Sequence, residues 1–247
     1  IELSSPFQYS INDAFYNLLD IEGEEIYDNF VSTLEERYNK LVSTIEVNHT
    51  NPIIIKDEGT ANMFPVWAPD SNVFAYLSNK NNDYFGQTDL FIHNLDNDIE
   101  QKISGSVFSA PTWNPDGNII YYSKKPKFPD KNGSRYYDIY EYDLSAKKEK
   151  RLTFGARSFS PVFIESDSSI AFLATNDGSQ DVYIYNIGQD KITQITDIKS
   201  RPVLSSLQYN YSDNSLYFDI SFNHYRDIAK ISLDDSTYKM VLNNDLW

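Results

Sequence analysis

Five of the chain's 21 basic residues fall between Lys124 and Arg135, in a sequence whose net charge is −15. Lys124, Lys125, Lys127, Lys131 and Arg135 are interleaved with Phe128 and followed by Tyr136. Two readings suit such a stretch. It is either a solvated surface loop or a contact for an acidic partner, since local cations oppose the field of the rest of the molecule. Other candidates for chemistry are few. His49, His93 and His224 stand apart, none at i, i+4 with another, so the helical zinc-binding spacing is missing. There is no cysteine, which removes disulfides and thiolate-bound zinc. The sequence has no G-x-S-x-G elbow, no Walker loop and no dinucleotide fingerprint. The expectation is a chain with no catalytic, cofactor-binding or metal residues of its own.

The most regular charged set is Asp89, Asp138, Asp181 and Asp227. Carboxylates repeated around an axis suit calcium. Each also suits a bond to backbone groups at the start of a strand, as short polar side chains make. Their regularity favours the backbone role.

These residues are positioned by a repeat. Pro111–Tyr122 reads PTWNPDGNIIYY: a strand, a Pro-Asp-Gly turn and a second strand without a polar gap. Pro65–Tyr76 carries the same phrase, and Trp67 and Trp113 mark the same place in it. Pro161–Phe172 and Leu207–Phe218 are weaker copies, with Phe163 and Tyr209 at the marker position. Their turns have decayed to Glu165-Ser166-Asp167 and Tyr211-Ser212-Asp213, with Asp167 and Asp213 expected at the left-handed position. A third strand follows in each copy, opened by the aspartates above: Asp89–Leu95, Asp138–Leu144, Asp181–Ile187 and Asp227–Leu233. A fourth closes each: Glu100–Ser104, Lys150–Phe154, Lys191–Thr196 and Tyr238–Leu242. Four-stranded units at this period are the blades of an all-β propeller, starting near residues 65, 111, 161 and 207.

The phrase P-x-W-x-P-D-G-x-x-I-x-Y, then D-I-Y-x-Y-D-L, then K-R-L-T resembles the WD40-like (PD40) repeats of TolB-type propellers. It is carried by Pro111–Tyr122, Asp138–Leu144 and Lys150–Thr153. The resemblance covers residues 52–247. It implies a six-bladed ring of which four blades are visible, acting as a non-catalytic scaffold for a protein or peptide partner. It also implies the bacterial cell envelope or the extracellular space.

The first 49 residues read as a helical leader and residues 50–247 as the propeller. Ser10 caps a short helix with Asp13 three residues on, Glu22-Gly23-Glu24 breaks it, and a second helix runs from Glu24 to Ser43. Ile26, Phe30, Leu34, Tyr38 and Leu41 give that helix an apolar stripe expected to pack on its own chain. Thr50–Lys56 reads as a further closing strand, whose blade partners would lie beyond Trp247. The chain is thus expected to be part of a longer protein. Tyr16–Leu41 is similar to the helical tail of a zinc metallopeptidase placed before such propellers, although H-E-x-x-H is absent. The alternative role is therefore the accessory propeller of a larger secreted peptidase, metallopeptidase or serine hydrolase, whose catalytic domain lies elsewhere. A third is a propeller that binds a sugar or small ligand.

The loops between second and third strands vary most, at Ser78–Thr88, Ser123–Tyr136, Ala174–Gln180 and Ser221–Arg226, so binding function is expected there. The acidic balance argues against nucleic acid, which is bound by neutralising phosphates. No run of about 18 apolar residues exists to form a membrane-spanning helix.

Overall fold

The structure, a computed structural model, describes residues 10–46, 50–165 and 168–242. It divides into two compact units, Ile1–Ile55 and Lys56–Trp247.

In the first unit, α1 (Ile11–Leu19) is capped by Ser10, whose Oγ accepts from the Asp13 N–H at 3.4 Å. It ends two residues before Glu22, at Asp20, in the left-handed conformation. Gly23 does not break the helical run but opens α2 (Gly23–Glu46). The helices meet there so closely that a Cβ on Gly23 would stand 2.3 Å from the Asn12 side-chain oxygen. Within this unit Phe30, Tyr38 and Leu41 of the α2 stripe are exposed. The physical reason is length, since nine-residue α1 can cover only the first turns of a 24-residue partner.

The second unit is four antiparallel sheets of four strands, each a meander in chain order. Blade 1 is β1 (Asn62–Trp67), β2 (Val73–Ser78), β3 (Asp89–Asn94) and β4 (Ile99–Ser104). Blade 2 is β5 (Thr112–Trp113), β6 (Ile119–Lys124), β7 (Asp138–Asp143) and β8 (Lys148–Arg151). Blade 3 is β9 (Ser158–Ile164), β10 (Ser169–Asn176), β11 (Ser179–Asn186) and β12 (Lys191–Gln194). Blade 4 is β13 (Val203–Asn210), β14 (Ser215–Phe222), β15 (Tyr225–Ser232) and β16 (Tyr238–Met240).

The marker residues occupy one register position throughout. Trp67 pairs with Phe74, Trp113 with Ile120, Phe163 with Ile170 and Tyr209 with Leu216. In blades 1, 3 and 4 the first strand also slips register at one place. There Phe64, Ser160 and Ser206 take positive φ three residues before the marker, the signature of a β-bulge.

The turns follow the residue types with small shifts. Gly117 is left-handed at φ 66° and donates its N–H to the Asn114 carbonyl at 3.1 Å. In blade 1 the left-handed residue is Asp70, not Ser71, and in blade 4 it is Asn214 rather than Asp213. Asp and Asn tolerate that region better than Ser. Asp167 lies outside the described residues.

Thr50–Lys56 pairs with no strand among the described residues, and Ile53 and Ile54 are exposed, so the expectation of partners outside this sequence is untested. Two expectations are corrected. Lys150–Phe154 is not strand to its end, since β8 stops at Arg151 where the chain turns toward blade 3. Ala174–Gln180 and Ser221–Arg226 are not variable loops. They are β-strand closed by two-residue turns, Asp177-Gly178 and Asn223-His224, with both φ values positive in each. Such turns match the twist of the strands they join.

The core lies between blades. One apolar cluster joins Leu77 and Leu90 of blade 1 to Trp113 and Tyr122 of blade 2. A second joins Tyr121 and Ile139 to Phe172 of blade 3, and a third joins Leu173 and Val182 to Leu216 and Phe218 of blade 4. The Trp113 indole N–H donates across the first of these seams to the Val66 carbonyl at 3.2 Å.

Candidate functional site

Three of the four repeated third-strand aspartates, Asp89, Asp138 and Asp181, bond backbone groups, as expected. Asp89 Oδ1 accepts from the Ser106 N–H, Asp138 Oδ1 from Ala156 at 2.9 Å, and Asp181 Oδ1 from Ile198 at 3.0 Å. Each therefore ties down the connection leaving its own blade. Asp138, fully buried, also accepts from Gly155 N–H, Thr153 Oγ1 and Arg151 Nη2. Asp227 sits half-buried in β15. Among the described residues no group of three His, Asp or Glu is placed to hold a metal ion. His93 is buried in β3 with its ring 5.4 Å from that of Phe74, His224 is exposed in a turn, and His49 lies outside the described residues.

Lys124 belongs to the sheet rather than to the loop. It ends β6, and its ammonium donates to both Glu149 oxygens at 2.8 Å and to Ser104 Oγ at 2.9 Å, 4.9 Å from the Tyr140 ring centroid. The Tyr122 hydroxyl donates to the same carboxylate. Burial alone would push the Glu149 carboxyl up, but the hydrogen bonds from Lys124, Tyr122 and Ser104 hold it below the ordinary glutamate value. This cation is satisfied by Glu149 of blade 2 and Ser104 of blade 1 and is not available to a partner. Blade 1 repeats the arrangement with Tyr76, Glu100 and Lys80, and burial pushes the Tyr76 hydroxyl up to about 12.

The rest of the stretch is the β6–β7 loop. Its tip is closed by Asp130, whose Oδ1 accepts from the N–H groups of Asn132 and Ser134 at 2.9 and 2.8 Å. Lys127, Phe128 and Lys131 are exposed on it, with the Lys127 ammonium 5.5 Å from the Phe128 ring. Lys125 lies 4.9 Å from the Tyr137 ring, which packs on Phe108 at 4.9 Å. Tyr136 lies at the junction of three recesses of about 490, 370 and 310 Å³.

Three further residues border the same recesses. Arg151, Phe154 and Arg157 come from the end of β8 and the connection to blade 3. Arg157 lies over the Tyr136 ring at 4.4 Å, and hydrogen bonds from Ser134 first and then from Arg157, with the Arg157 charge, lower the Tyr136 hydroxyl from its ordinary value. The signal that would have found these residues is topological. In an antiparallel meander the second-to-third loop and the blade-to-blade connection emerge at the same end. Asp138 then fixes where that connection runs.

No protein-family model matches the chain. No curated protein matches it in sequence. Solved structures match it in fold. TolB from Acinetobacter baumannii is 18% identical with a TM-score of 0.59, over 73% of this chain and 43% of that one. A putative TolB from Agrobacterium tumefaciens is 18% identical with a TM-score of 0.60, over 75% of this chain and 68% of that one. A prolyl endopeptidase structure is 14% identical with a TM-score of 0.54, over 75% of this chain and 29% of that one. The chain thus spans less than half the length of the Acinetobacter protein. At these identities the likeness is one of fold: a TolB-type propeller of four four-stranded blades with a short helical segment before it in sequence.

Proposed function

We propose that the chain is a non-catalytic propeller scaffold whose β6–β7 loop binds an acidic protein or peptide partner in the bacterial cell envelope or outside the cell. The observation that carries this reading is the loop itself. Lys125, Lys127, Lys131 and Arg135 stand there with one acidic residue, Asp130, in a chain of net charge −15. Exposed Phe128 adds an apolar anchor. A cationic island on an acidic body attracts an acidic segment and repels other surfaces. The likeness of fold to TolB structures supports a scaffold role and the location.

The test is charge reversal away from the sheet. Lys125→Glu, Lys127→Glu and Lys131→Glu together are expected to abolish capture of a partner that the unaltered chain retains. The retained protein, identified by mass spectrometry, is expected to carry an acidic surface segment. Undiminished capture by the triple variant would refute the reading.

A second reading is that this is the accessory propeller of a larger secreted peptidase, favoured by the shared fold with a prolyl endopeptidase. The complete open reading frame decides between them: a peptidase domain in the same frame supports the second reading.

A further inference from the structure

Lys125, Arg135 and Arg157 line one recess of about 370 Å³, walled by Phe108, Tyr136 and Tyr137. That volume lies in the range of about 300–1,000 Å³ typical of ligand sites. No carboxylate is part of the lining. None of the ion pairs among the described residues uses any of the three cations. Two of the three are held against aromatic faces instead, Lys125 on Tyr137 and Arg157 on Tyr136. The Tyr137 face orders Lys125 without consuming its N–H donors, and Arg157, with five donors, keeps others beside the one that meets the Tyr136 hydroxyl. The position of Arg157 is itself fixed from below, because buried Asp138 accepts from the two preceding backbone N–H groups, those of Gly155 and Ala156.

We infer that this recess receives a carboxylate side chain flanked by an aromatic ring, both presented by one acidic segment of a protein partner. The inference rests on the reading of the β6–β7 loop as a binding surface and adds to it a pocket and a ligand chemistry. The cations take the carboxylate, with Arg157 and Arg135 offering paired N–H donors of the kind that match its two oxygens. The aromatic walls take the ring. A single-stranded nucleic acid also combines negative charge with flat rings. The peptide is favoured because the acidic body repels a polyanion that continues past the pocket.

The probe is a fluorescein-labelled peptide of alternating glutamate and phenylalanine, read by fluorescence anisotropy on the whole chain. The controls are the same peptide with glutamine for glutamate, and a single-stranded oligothymidylate. Binding of the glutamate peptide is expected to weaken about tenfold in Arg157→Gln and in Arg135→Gln, equivalent to about 1.4 kcal/mol each. Arg157→Lys, which keeps the charge and loses the fork, is expected to fall between. Circular dichroism melts establish that each variant is folded. The glutamine peptide is expected not to bind. The inference is overturned if the unaltered chain ignores the glutamate peptide, if oligothymidylate binds in its place, or if both glutamine variants bind as well as the parent. Should partner capture depend on Lys127 and Lys131 but not on Arg157 or Arg135, the loop keeps its role and only the pocket falls.

Discussion

The Glu149 carboxylate shows how a repeat keeps its geometry while its chemistry changes. Tyr76 and Glu100 in blade 1 stand where Tyr122 and Glu149 stand in blade 2, and in both the hydroxyl donates to the carboxylate. Blades 3 and 4 place Phe172 and Phe218 at the tyrosine position, and Ile192 and Tyr238 at the glutamate position. A buried hydroxyl needs an acceptor and a phenyl ring needs none, so the pair changes together. A pH dependence follows. The Glu149 value is lowered from 4.5, so its contribution to stability is fully present above pH 4.5 and is lost as pH falls through the lowered value. Glu100 is lowered for the same kind of reason, its bonds from Lys80 and Tyr76 outweighing burial. Glu149→Gln is expected to make urea unfolding midpoints less sensitive to pH between about 5 and 3 than in the parent. Equal slopes in both proteins would refute the role of this carboxylate.

At the scale of the element, the marker residue has one register and unequal surroundings. Trp113 is 6% exposed, filling the seam between blades 1 and 2, while Trp67 is 56% exposed on the side of blade 1 away from that seam. Trp113→Ala is expected to cost about 3–5 kcal/mol in urea unfolding, the range for emptying a core aromatic site. Trp67→Ala is expected to cost under about 1 kcal/mol, because little is buried there to lose. Similar costs at the two sites would contradict the seam. The strands were legible from alternation and turn chemistry, but the reading of Ala174–Gln180 as a variable loop passes over its Asp177-Gly178 dipeptide, which is a hairpin signal. Thr50–Lys56 has the apolar β-branched character of a strand, but a strand exists only with a ladder partner, and none among the described residues pairs with it.

At the scale of the whole propeller unit, three apolar clusters each join one blade to the next, a fourth (Phe74, Tyr76 and Phe91) stays within blade 1, and none among the described residues joins blade 4 to blade 1. Stability in such an array is a sum over neighbours. Amide hydrogen exchange is therefore expected to be slowest in β6, β7, β10 and β11, whose blades have a neighbour on each side, and faster in β1 and β16. Uniform protection across all four blades would contradict this. The sequence by itself determined the blades, their marker residues and the repeated aspartates of their third strands. Those are local or periodic signals, written in turn residues and alternation within a few positions. It also located the cationic loop. The tertiary structure alone decided which of those cations are free. Lys124 is taken by Glu149, which is 25 residues away in sequence, and Arg157 joins Lys125 and Arg135 from the connection to another blade. Partners of that kind are chosen by strand register and by which loops emerge at the same end of a blade, and neither is encoded in any short stretch of chain.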